Sequence, residues 1–62
     1  MVKVWGVIER DGRFVELGTT ERGAKVAGTR AGYPMVGYRD ANHYHVTVTH
    51  RKEKGKWQPY TG

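Results

Sequence analysis

The sequence predicts an α+β fold: a small antiparallel sheet of four to five strands with one short helix, in ββαββ order. Three observations carry this. Residues Asn42–Arg51, NHYHVTVTHR, form the longest run of β-favouring residues and alternate strictly. Tyr44, Val46 and Val48 fall on one side of an extended strand, and His43, His45, Thr47 and Thr49 on the other. Asp11-Gly12 separates two shorter alternating runs, the mark of a two-residue hairpin whose turn needs positive φ at both central positions. Residues 21–31 place Ala24, Ala27, Gly28 and Ala31 at i, i+3, i+4 and i+7, a narrow face of small side chains suited to a helix lying close on a sheet.

In order, Val2–Glu9 reads as the first strand and Arg13–Leu17 as its return. Closing the turn on Asp11-Gly12 sets Ile8 opposite Val15 and Gly6 opposite Leu17. Val4, Ile8, Val15 and Leu17 then share the core face, and Trp5, Val7 and Phe14 gather outside with Glu9 and Glu16. Thr20 offers a hydroxyl cap and Glu21 an acid at the positive end of the helix dipole. The helix runs from Glu21 to about Ala31, stopped by Gly32 and Pro34. Tyr33–Arg39 reads as a third strand, at an edge because Pro34 lacks an amide donor. Asp40-Ala41-Asn42 is a turn by composition. Arg51–Lys56, RKEKGK, reads as a charged turn, and Lys56–Tyr60 as a last short strand.

Sixty-two residues make one domain, residues 1–62. A chain this size hides only about 60% of the surface it exposes when unfolded, so each large apolar side chain counts. With no cysteine there is no disulfide, thiolate zinc site or cysteine nucleophile. No apolar run approaches the roughly 20 residues that span a bilayer. The apolar stretch near the N-terminus is too short and too soon charged for a secretory signal. A cytoplasmic location without a membrane partner is expected.

Charge is the strongest global signal. Eleven Lys and Arg face six Asp and Glu, a formal +5 at pH 7. Such a balance suits phosphates. Arg22–Arg39 contains four basic residues and no acid, and Arg51–Lys56 adds four more against Glu53 alone. The expectation is a basic protein that binds DNA or RNA mainly through its backbone, without catalysis. Arg22, Lys25, Arg39, Arg51, Lys52, Lys54 and Lys56 are the candidate phosphate contacts, with His45 and Thr47 in support. Tyr33, Tyr38, Trp57 and Tyr60 are interleaved with these charges and are the candidates for stacking on unpaired bases, while Tyr38, Tyr44 and Trp57 are expected to fill the core.

A rival expectation is a protein-binding regulator or inhibitor, of the compact kind carried by phages and mobile elements, anchored by an exposed Trp5, Val7 and Phe14 patch. An edge at Tyr33–Arg39 would also let the monomer pair as a homodimer. His43 and His45 share a strand face, but His50 has the opposite parity and no carboxylate completes a set, so neither metal nor cofactor is expected. A histidine with a lysine matches the parts of a metal-free ribonuclease, a third reading; no catalytic residue is assigned.

Overall fold

The computed structural model describes residues 2–60. One antiparallel sheet of five strands is backed by one helix. The elements are β1 (Lys3–Ile8), β2 (Phe14–Gly18), α1 (Glu21–Ala31), β3 (Met35–Asp40), β4 (Val46–Glu53) and β5 (Lys56–Pro59). The strand order is β2-β1-β3-β4-β5, so the fold is α+β with the helix between the two strands on one side of the chain and the three on the other.

The helix occupies the span its small residues imply. Thr20 sits in extended backbone and its hydroxyl accepts the Gly23 amide at 3.1 Å, while Gly32 ends the helix in the left-handed region. Ala24 and Gly28 are its buried positions. Together they bring α1 down on Val7 and on the ring of Trp57, which would crowd any Cβ added at Gly28.

The first hairpin turns differently from the two-residue expectation. The Gly12 amide donates to the Glu9 carbonyl and the Glu9 amide to Arg13, each at 2.9 Å. The loop is therefore three residues, Arg10-Asp11-Gly12. It is a turn closed from Glu9 to Gly12, with Gly12 at φ 93°. The Asp11 carboxylate steadies it by accepting the Arg13 amide at 2.9 Å. The register shifts to Ile8 opposite Phe14, Val7 opposite Val15 and Gly6 opposite Glu16.

A slip of one residue exchanges the two faces of a strand. The core against the helix is Trp5, Val7, Ala24 and Val36, flanked by Val15, Tyr33, Tyr38 and Trp57. Trp5 tilts against Tyr38, with ring centroids 5.1 Å apart. Leu17, expected inside, is 46% exposed. Val4, Ile8, Phe14, Met35, Val46 and Val48 line the helix-free side by register. There Ile8 is still buried, because Phe14 and Met35 are its cross-strand neighbours.

Two further expectations change. Tyr33–Arg39 was expected at an edge, yet β3 is the middle strand and the edges are β2 and β5. Pro34 lies just outside β3, where its missing amide costs no ladder bond and its carbonyl accepts Lys52 N–H at 2.8 Å. The alternation from Asn42 also outruns its strand. Residues 43–45 are irregular, Tyr44 is 98% exposed, and β4 instead extends through Arg51–Glu53. The charged turn thus shrinks to Lys54-Gly55, both at positive φ as a two-residue hairpin requires.

Candidate nucleic-acid interface

The expected phosphate contacts do not form one face. Arg39 lies on the helix-free side opposite Val4 and Val46, and its guanidinium is consumed at home. It pairs with Glu16 across β1 and donates to the carbonyls of Asp40, Ala41 and His43. A side chain so occupied anchors the β3–β4 loop. Arg39→Ala is expected to lower stability to urea by about 1.5–3 kcal/mol, the range for hydrogen bonds to a charged group, while leaving nucleic-acid affinity unchanged. Lost affinity at unchanged stability would instead make Arg39 a contact residue.

Arg51 is tied to Glu53, whose hydrogen bond and charge raise its pKa further. Lys54 and Lys56 flank the far hairpin tip, and Arg22 is exposed on the first half of the helix. His45 precedes β4 in the exposed loop, and Thr47 is an exposed residue near the start of that strand, opposite Tyr38. Among the described residues no group of three or more His, Cys, Asp or Glu could hold a metal ion. No helix among them is long and apolar enough to cross a membrane.

Trp5 and Val7 cannot form the exposed patch assigned to a protein partner. They are 9% and 0% exposed beneath the helix, and Phe14 sits on the opposite side of the sheet. A two-residue turn would set Ile8 opposite Val15 and group it with the core; the three-residue loop pairs Val15 with Val7 instead.

Two of the expected contacts do converge. α1 crosses toward β5, and the seam between them is a shallow groove lined by Lys25, Val26, Thr29, Arg30 and Trp57. A second groove continues past Thr29 to Lys52, Arg10 and Tyr33. Lys25 is ion-paired with Glu21 at 3.2 Å, whereas Arg10, Arg30 and Lys52 make no ion pair with a described carboxylate. Arg30 also lies in the last turn of α1, where a cation suits the dipole.

Thr29 is the hub. Its hydroxyl oxygen accepts Lys52 Nζ at 2.9 Å and Trp57 Nε1 at 3.1 Å. The Lys52 ammonium also rides over the Trp57 ring, 4.8 Å from its centroid. A hydroxyl has two acceptor lone pairs and one hydrogen. With both lone pairs engaged, the Thr29 O–H remains to donate, and among the described residues it donates to none. The Lys52 ammonium has donors to spare as well.

A neighbouring depression beside Arg10 is walled by Glu9 and Asp11 as well as Tyr33 and Pro34. Glu9 is neutralised by Arg13 at 2.8 Å, and Asp11 holds only the Arg13 amide, so its charge makes that depression a poorer place for an anion.

Arg10, Thr29 and Arg30 were not among the residues expected from sequence. Arg10 reads there as a turn flank and Thr29 as the polar side of a helix; only the helix crossing brings them beside Lys52. Comparison with known proteins is silent, since no family model, curated protein or solved structure matches the chain.

Proposed function

We propose that this chain binds nucleic acid, DNA or RNA, in the cytoplasm, chiefly through the phosphate backbone and without catalysis. The observation that supports it most is the Thr29 cluster. A hydroxyl hydrogen, a lysine ammonium and the guanidinium of Arg30 border two grooves that meet at Thr29, and none of the three is spent on a described carboxylate. A phosphate oxygen is the acceptor such a set fits, being anionic and able to take several charge-assisted hydrogen bonds. Lys25 and Arg10 extend the positive track to either side of Thr29.

Binding of this kind releases counterions and weakens with salt. Four phosphate contacts predict a log–log slope near −2.8 on a single strand and near −3.6 on duplex DNA. Fluorescence anisotropy of labelled oligonucleotides, titrated at several salt concentrations, reads the slope directly. Absence of binding at about 50 mM salt would remove the proposal, because electrostatic affinity is strongest at low salt.

A further inference from the structure

We infer that the groove takes an unpaired strand, with a nucleobase seated on Trp57; the inference deepens the phosphate-binding reading and rests on it. Cations alone would serve a duplex as well as a single strand. The groove, however, has an aromatic ring set among its cations. Trp57 is half-buried, its benzo edge rests against Gly28, its N–H is held by Thr29, and the Lys52 ammonium stands over the ring 4.8 Å from its centroid. The ring also lines the groove of Lys25, Val26 and Arg30, which is where a base would seat. The ring is therefore oriented before any ligand arrives, which reduces the ordering cost of binding.

Its surroundings suit a base. Val26, 48% exposed, lines the same groove as Trp57, and Tyr33 lines the continuation beyond Thr29. Apolar and aromatic walls between Lys25, Arg30, Lys52 and Arg10 repeat the alternation of a strand whose bases are splayed from its phosphates. Stacked pairs in a duplex keep their faces covered and cannot use such a ring. A duplex would also ask for cations spread over a wide surface. Here Arg51 is tied to Glu53, Arg39 is spent on the helix-free side, and Lys54 and Lys56 stand at the hairpin tip.

Three labelled probes of about 12 nucleotides separate the contributions: oligothymidylate, an abasic strand with the same phosphates, and a duplex. Oligothymidylate is expected to bind roughly 5- to 150-fold tighter than the abasic strand, the range for one stacked base. Trp57→Leu, which keeps apolar bulk on Gly28 but cannot stack, should erase that advantage. Trp57→Phe should retain most of it. Should Trp57→Leu fail to fold, indole emission of the unaltered chain gives the same answer. Oligothymidylate should quench it and the abasic strand should not, since Trp5 is shielded in the core. Equal binding of all three probes, or no quenching by oligothymidylate, overturns the inference while the phosphate reading stands. Failure of every probe at about 50 mM salt overturns both.

Discussion

Gly37→Ala is expected to bring the chain to the edge of unfolding. Gly37 lies in the middle strand, opposite Gly6 in β1, at the bulge where β3 shifts register against β4. A Cβ there would overlap the Thr47 carbonyl oxygen and stand 3.0 Å from Val48 Cα. Both neighbours are backbone, so no side chain can swing aside, and relief must come from moving β4. Overpacking costs about 1–3 kcal/mol and sometimes more, and a clash with backbone belongs at the top of that range. A 62-residue chain has only about 3–9 kcal/mol to lose. Gly18→Ala is the matched comparison, because a Cβ at that edge position meets nothing within 4 Å. Urea denaturation followed by circular dichroism should show the Gly37 variant largely unfolded or with a much lower midpoint, and the Gly18 variant near the unaltered chain. Equal midpoints for all three would show that the sheet is looser at its centre than the geometry implies.

Reversing charge at Arg10 and Arg30 together is expected to lower affinity for a single strand roughly 50-fold at about 50 mM salt, by removing two counterion-releasing contacts. The salt slope should fall in magnitude by about 1.4 on a single strand. Neither side chain makes a hydrogen bond or ion pair with the described residues, so Arg10→Glu with Arg30→Glu should still fold, at a cost of about 0.3–1 kcal/mol for an acid in the last turn of α1. Lys54→Glu with Lys56→Glu is the control of equal charge change, placed at the hairpin tip. Compared again at about 0.1 M salt, where a charge is screened beyond roughly 10 Å, this pair should weaken binding only a few-fold. If both pairs cost the same, net charge and not the groove would govern binding. If the tip pair costs more, the site lies at the hairpin.

The helix was legible because its signals are local: a capping hydroxyl at Thr20, small residues four apart at Ala24 and Gly28, and Gly32 to end it. The β3–β4 hairpin and the closing strand were legible for the same reason. Register was not. Asp11-Gly12 fits a two-residue turn and equally a three-residue turn with Gly12 last. The choice is made by the Gly12 and Arg13 amides finding Glu9 and Asp11. That single residue decided whether Val15 pairs with Val7 or with Ile8. Alternation likewise says nothing of where a strand stops, and the loop at Tyr44 is held by Arg39 and by Asp40, which accepts the Asn42 amide at 2.9 Å. The groove was half legible. Lys25 and Lys52 stand in basic stretches, whereas Arg10 and Thr29 meet them only through long-range packing.

Thr29 also fastens the last strand to the helix, through Trp57 on β5 and Lys52 beside it on β4. Strand β5 has a neighbour on one side only, so this tie adds to its ladder with β4 a second hold from the helix. Whatever settles on the cluster therefore works as a clasp. It would raise the melting temperature with its own concentration, and the amides of β5 would be the first to exchange more slowly with solvent.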